Sequence, residues 1–375
     1  MDALSPEALA DRIDRGERVT LLDTRNRTET DEWRIDGPTV DRVEVPYMKF
    51  VAARARSTSD PADLLPDDLA EPVVVVCARG EASDEVAAML RESGVDAVNL
   101  AEGMHGWARV YRATELDAGK ATVVQYRRPS SGCLAYLVVA GDEALVVDPL
   151  RAFADRYAAD ARDRGADLVA AVDTHVHADH VSGLRDVAAT RYMSERAVAR
   201  GVTYEVETLA DGDAIGLGDT EIAVLATPGH TTGMVSLRVG DVLLCGDTLF
   251  VDGVPRPDLE SGDDAAEHAR DLHRTLTERL APLPDDTVVA PGHYGEGAER
   301  APDGTYTAPL GDLRERLWPF GTDRESFVAR VLEGLGPRPA NDERIVAVNL
   351  GREAAADDEA FELELGPNNC AASAD

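Results

Sequence analysis

Short apolar runs recur along the chain, and several stop at a residue able to do chemistry. Pro72–Val76 is continuously apolar, the pattern of a parallel strand buried on both faces, and it runs straight into Cys77. Residues 84–93 then read as a helix that stops at Gly94. Upstream, Ser5-Pro6-Glu7 has the form of a helix start, with a Ser cap, Pro in the first turn and an acid favoured there. Gly16 is placed to end that helix. Downstream, Thr122–Val124 begins a second set of strands, and Leu134–Val139 and Ala144–Val147 flank Gly141-Asp142 as a hairpin. The runs Leu168–Val172, Ile222–Ala226, Val242–Cys245 and Val288–Ala290 each precede a segment holding His or Asp. Residues 263–280 have the period of an amphipathic surface helix; His268 and His273 on it do not share a face, and both read as solvated. Leu313–Leu335 reads as helix, and Ile345–Leu350, beyond Gly336-Pro337-Arg338-Pro339, as a strand.

Alternating strands and helices predict an α/β protein, and 375 residues suffice for two or three domains with their own cores. The polar stretch Tyr111–Ala121 is the expected boundary, giving domains at 1–113 and 119–351. Residues 352–375 are small, acidic and polar, and are expected to form a mobile tail in which Cys370 is an incidental exposed thiol.

A formal net charge of −33 changes the picture of partners, because so acidic a surface repels nucleic acid and anionic membranes. Lysine occurs only at Lys49 and Lys120. Self-repulsion of this size is relieved where salt near 1 M shortens the screening length to roughly 3 Å, so the composition predicts adaptation to molar intracellular salt, as in halophilic microbes. No apolar run approaches the roughly 20 residues that span a bilayer, and Met1–Ser5 lacks the apolar core of a secretory signal. Four scattered cysteines form no disulfide framework. A cytoplasmic location is expected; the oligomeric state is left open, a homo-oligomer included.

Five of the eight histidines lie in Thr174-His175-Val176-His177-Ala178-Asp179-His180 and in the later segments Thr227–His230 and Pro291–His293. With Asp247 in Gly246-Asp247-Thr248 they supply imidazole and carboxylate at strand ends, where they converge at one edge of a core. These are the usual ligands of zinc and non-haem iron. A solvated His-rich loop would not repeat this strand-end placement.

This order of motifs resembles the metallo-β-lactamase superfamily over roughly residues 119–351. The resemblance implies two face-to-face sheets with helices outside, an αββα sandwich with metal at its edge. By position, His175, His177 and His230 would line one metal site, and Asp179, His180 and His293 a second, with Asp247 between them. The segment Gly246–Leu259 resembles the persulfide dioxygenase branch. That resemblance implies one Fe(II) held by His175, His230 and Asp247, with Arg256 pairing with a carboxylate of the thiol carrier. His177, Asp179, His180 and His293 would then orient the ligands and carry protons. The competing implication is a glyoxalase-II-like thioester hydrolase with two Zn(II).

The Cys77–Ser83 loop lies between a strand end and a helix N-terminus, where backbone N–H groups suit a nucleophilic sulfur. Cys133 and Cys245, within apolar runs, read as structural. With Thr20–Arg25 and Asn99–Trp107, the Cys77 loop resembles a rhodanese domain over roughly residues 1–113. There the cysteine carries sulfane sulfur as a persulfide. Many members have Arg where this chain has Ala82, and Arg79 is the candidate to supply that charge. A phosphatase loop would need Arg where Ser83 stands. His105 reads as structural.

Together the resemblances imply an iron-dependent dioxygenase that oxidises a low-molecular-weight thiol persulfide with O2 to sulfite. Sulfane-sulfur transfer at Cys77 would connect sulfite and thiosulfate. A sulfur carrier or sensor without turnover is the third reading, and the intact ligand set argues against it.

Overall fold

In a computed structural model, residues 3–55, 60–295 and 297–372 are described, and the chain divides into two compact units. The first comprises residues 1–111 with 128–131; the second comprises 112–127 and 132–375.

The first unit is a four-stranded parallel sheet in the order Val40–Glu44, Val19–Asp23, Val73–Val76, Ala97–Asn99. Its central strand explains the continuous valines. Val74 and Val76 join a core with Leu9, Met104 and Trp107, while Val73 and Val75 join another with Phe50, Val86 and Leu90. The first helix runs Pro6–Asp14, capped by Ser5, whose side chain accepts from Ala8 N–H, and Gly16 follows at φ +71°.

The second unit packs a seven-stranded sheet against a six-stranded one. Alternate residues Leu134, Tyr136, Val138 and Ala140 face Ile222, Val224, Leu237 and Leu244 across the core. On the outer face of the six-stranded sheet, Leu243, Cys245 and Val289 pack with Leu272 and Leu276 of segment 265–280 and with Phe327. Helix Ala154–Asp163 lies on the other sheet, its Tyr157 meeting Tyr126 edge-on at 5.2 Å. The αββα sandwich is thus present.

Several sequence expectations are corrected here. The expected linker is largely a strand, Arg112–Ala118, pairing antiparallel with Ala121–Arg128, and its Leu116 and Ala118 are buried. Leu313–Leu335 is not one helix: Leu310–Arg316 and Arg324–Glu333 are separated by a 3₁₀ turn at Trp318–Gly321 containing Pro319. Residues 345–350 are not a strand, because Asp342–Asn349 is helical and sets Ile345 and Val348 against Val181. A short apolar run does not by itself separate strand from helix. Up to residue 372 the acidic tail is folded: helix Asp357–Leu363 buries Ala360, Phe361 and Leu363, and Ala371–Ala372 pairs with Val254–Pro255. Residues 373–375 of the expected tail lie outside the described residues. Cys370 is accordingly buried, not exposed. His268 is buried with its ring facing the Pro257 carbonyl, and half-buried His273 faces the Thr322 carbonyl; neither is simply solvated.

Candidate metal centre and sulfur-transfer loop

Strand ends bring His175, His177, Asp179, His180, His230, Asp247 and His293 together, and none is more than 6 % exposed. The His230 loop is held tightly against helix Ala265–Arg274. Gly229 sits at φ +152°, and a Cβ there would lie 2.4 Å from Leu272 Cα.

Hydrogen bonds decide which ring nitrogen of each histidine is left to bind a cation. The Thr174 hydroxyl donates to Asp148 Oδ2 at 2.9 Å and therefore accepts from His175 Nδ1 at 2.9 Å. His230 Nδ1 lies 2.7 Å from the Arg256 carbonyl, which can only accept. Both rings thus carry the proton on Nδ1 and present the Nε2 lone pair. His230 Nε2 stands 3.7 Å from Asp247 Oδ2. His175 Nε2 and Asp247 Oδ2 are buried with no hydrogen-bond partner among the described residues. Candidate ligand atoms of His175, His230 and Asp247 lie within 4.8 Å of one another. Each orphaned buried polar atom costs about 1–3 kcal/mol, and one divalent cation would satisfy these together. Two neutral imidazoles and a carboxylate fit a transition metal with open positions.

The electrostatics agree. Burial, reinforced by neighbouring His177 and His230, pushes His175 well below its usual range. Burial also lowers His230, against the pull of Asp247. For Asp247, burial acts upward, but His293 and His230 outweigh it and hold the carboxyl below its ordinary value.

The remaining residues are partly paired, and His177 Nδ1, Asp179 Oδ1 and His180 Nε2 are also buried without a hydrogen-bond partner among the described residues. His293 reaches Asp247 Oδ1 at 2.7 Å through Nδ1 and Asp179 Oδ2 at 2.9 Å through Nε2. Both acceptors are carboxylates, so the ring donates twice; burial resists its charge, but Asp247 and Asp179 raise it well above its usual range. Asp179 Oδ2 also faces His180 Nδ1 at 3.1 Å and accepts from Cys133 Sγ at 3.2 Å. His177 Nε2 faces Asp148 Oδ1 at 3.1 Å.

Arg256 is not placed to bind a substrate carboxylate. Its side chain is 2 % exposed, and its N–H groups go to both Asp258 oxygens and to the carbonyls of Gly336, Pro337 and Asn369. The backbone carbonyl of this residue, not its guanidinium, serves the centre. Asp148, Thr174 and Asn349 were not singled out from the sequence. Asp148 directly follows the strand Glu143–Val147, the same strand-end signal that marks the ligands. Asn349 donates to the carbonyls of His177 and His180 at 3.0 and 2.9 Å, and no local pattern reveals that.

In the first unit, Cys77 follows strand Val73–Val76 and precedes helix Glu81–Glu92. Gly80 N–H donates to its Sγ at 3.1 Å, and the Ser83 hydroxyl lies 3.2 Å from the same atom. Gly103, at φ +58°, lets the following loop approach so closely that a Cβ would fall 2.2 Å from the Cys77 carbonyl. A cavity of about 460 Å³ opens over the sulfur, lined by Thr24, Arg25, Pro46, Tyr47 and Arg79 among others. Arg79 is exposed at this cavity, whereas Arg25 is buried in a pair with Asp23 at 2.7 Å.

The fold and these constellations define a rhodanese-like unit joined to a metallo-β-lactamase-fold metal unit. The sequence matches the metallo-beta-lactamase superfamily over residues 129–205 and 190–293, and the rhodanese-like domain over residues 5–110. It is 31% identical over 181 residues to the mitochondrial persulfide dioxygenase ETHE1 of Homo sapiens, covering 46% of this chain and 68% of that one. It is 34% identical over 176 residues to the hydroxyacylglutathione hydrolase of Parasynechococcus marenigrum, covering 43% and 66%. The crystal structure of ETHE1 from Myxococcus xanthus superposes with a TM-score of 0.53 at 30% identity, over 61% of this chain and 98% of that one. The chain belongs to the metallo-β-lactamase superfamily, in its persulfide dioxygenase and glyoxalase-II-like branch.

Proposed function

We propose that the protein is a persulfide dioxygenase using one Fe(II) held by His175, His230 and Asp247, coupled to sulfane-sulfur transfer at Cys77. The observation that carries this reading is the state of His293. It spends both nitrogens on Asp179 and Asp247, so a second metal would lack this ligand. His175 Nε2 and Asp247 Oδ2, by contrast, are buried beside His230 without a partner among the described residues; His177, Asp179 and His180 also keep one such atom each. When bound, the iron supplies the redox chemistry that makes dioxygen reactive toward a sulfane sulfur. Thiol persulfide, dioxygen and water then give thiol, sulfite and two protons. Thr174 and the Arg256 carbonyl fix the two imidazoles in their ligating tautomer. His293, hydrogen-bonded to Asp247, is the group placed to hold or release a proton beside the ligands. Buried walls keep bulk water from the centre. In the first unit, Gly80 N–H and the Ser83 hydroxyl cradle the Cys77 sulfur. A Cys77 persulfide attacked by sulfite at its outer sulfur would release thiosulfate and leave the Cys77 thiolate.

All four cysteines are free, which suits a reducing cytoplasm. Among the described residues no helix is long and apolar enough to cross a membrane. The similarity to a hydroxyacylglutathione hydrolase supports the second reading, a two-zinc thioester hydrolase. It requires His293 to give up a bond to Asp179 or Asp247 and become a ligand, whereas His180 pairs through Nδ1 and keeps Nε2 unpartnered among the described residues. The deciding measurement is oxygen consumption by anaerobically iron-loaded protein in molar KCl with glutathione persulfide. The expected result is uptake with stoichiometric sulfite, abolished in Asp247→Ala. Folded, iron-loaded protein that consumes no oxygen with any small-thiol persulfide would transfer the assignment to the hydrolase.

A further inference from the structure

The C-terminal segment places a thiol at the metal centre. Cys370 is 1 % exposed, and its Sγ lies within 4.8 Å of a carboxylate oxygen of Asp247 and a ring nitrogen of His293. It shares an apolar cluster with Ala178, Phe250 and Leu259, and the Phe250 ring stands edge-on to His293 at 6.1 Å. The centre behind it holds the unpartnered, buried His175 Nε2 and Asp247 Oδ2, and no residue of the metal set is more than 6 % exposed. A substrate of small-molecule size cannot reach such a centre unless something moves.

Besides the burial of Ala372 in the outer core and a 3.4 Å bond from Asn369 Nδ2 to the Arg338 carbonyl, the segment around Cys370 is held by few main-chain contacts. Ala371–Ala372 pairs with Val254–Pro255 in a ladder of two residues, Arg256 N–H donates to the Cys370 carbonyl at 2.9 Å, and Arg256 Nη1 to the Asn369 carbonyl at 3.2 Å. A two-stranded ladder this short opens locally at little cost, unlike the strands of the sandwich.

From this geometry we infer that segment 366–372 is a plug over the metal centre, with Cys370 filling the place that a substrate's sulfur end takes when the segment unpins from Val254–Pro255. The plug rests on the reading of this centre as the place where a thiol-derived substrate reacts. A resident thiol fills such a space with the same size and polarizability that a persulfide brings. Arg256 then has two tasks: its carbonyl orients His230, and its N–H groups pin the plug, so ligand geometry and access share one residue.

The test needs no turnover. Full-length protein is treated with iodoacetamide, and alkylation of each cysteine is followed by peptide mass spectrometry. Cys370 and Cys245 are equally buried, at 1 % and 0 %, so a static core would protect both alike. The expected result is alkylation of Cys370 at least about ten-fold faster than Cys245, the ratio set by a local opening that leaves the sandwich closed. Deleting residues 371–375 should accelerate Cys370 alkylation by about another ten-fold, and raise by a similar factor the rate at which a ferrous chelator strips bound iron. Cys370 reacting no faster than Cys245 in the full-length chain would overturn the plug. That outcome is independent of whether the protein consumes oxygen.

Discussion

Thr174→Val tests whether ligand tautomer control holds the metal. Valine matches threonine in shape, so the fully buried side chain is replaced without a void. What is lost is one hydroxyl that accepts from His175 Nδ1 and donates to Asp148 Oδ2, both at 2.9 Å. Asp148 Oδ1 keeps the Thr174 backbone N–H at 2.7 Å and His177 Nε2 at 3.1 Å, so the carboxylate stays in place. His175 Nδ1–H, by contrast, faces a methyl group. Leaving it unpaired costs about 1–3 kcal/mol. Moving the proton to Nε2 relieves that cost but removes the lone pair that binds the cation. Loss of such an orienting partner lowers metal affinity by about 10–100-fold, equivalent to about 1.4–2.8 kcal/mol. The assay is an anaerobic Fe(II) titration against a competing chelator, with metal-free melting curves alongside. Thr174→Ser keeps the hydroxyl and should retain most of the affinity. A valine variant within two-fold of the parent would refute the assignment of His175 as a ligand held in one tautomer.

Three other outcomes are expected. Arg256→Gln strips a buried guanidinium from Asp258 and three carbonyls, so it should destabilise the second unit by about 3–5 kcal/mol in denaturant unfolding; a raised KM with an unchanged midpoint would instead restore a substrate-binding role. Cys77→Ser should abolish sulfur transfer to sulfite while leaving oxygen uptake with free glutathione persulfide within about two-fold, because additivity is expected of independent sites. The net charge of −33 predicts a melting temperature that rises between low and molar KCl, and a flat or falling curve would refute adaptation to high salt.

The sequence by itself determined the strands that carry the chemistry. Continuous valines require burial on both faces, and His or Asp beyond an apolar run is delivered to a sheet edge, so Cys77, His175, His230, Asp247 and His293 were all legible from local pattern. It did not determine what each residue does once there. Whether a histidine ligates or donates depends on partners far along the chain: Asp148 reaches His177 across 29 positions, and His293 reaches Asp179 across 114. The same holds for Arg256, whose motif suggested a substrate anchor, yet whose N–H groups are taken up by Gly336, Pro337 and Asn369 from the end of the chain. Ile345–Leu350 has strand composition, but docking of Ile345 and Val348 on Val181 favours a helix and brings Asn349 to the metal loop. The tail reads as mobile because it is small, acidic and polar; Ala360, Phe361, Leu363 and Ala372, with Cys370, find buried places only because the sandwich edge is already built. Local pattern fixes which backbone conformations and faces are favourable. Hydrogen-bond partners, tautomers and access to the metal are set by long-range packing, which only the tertiary structure decides.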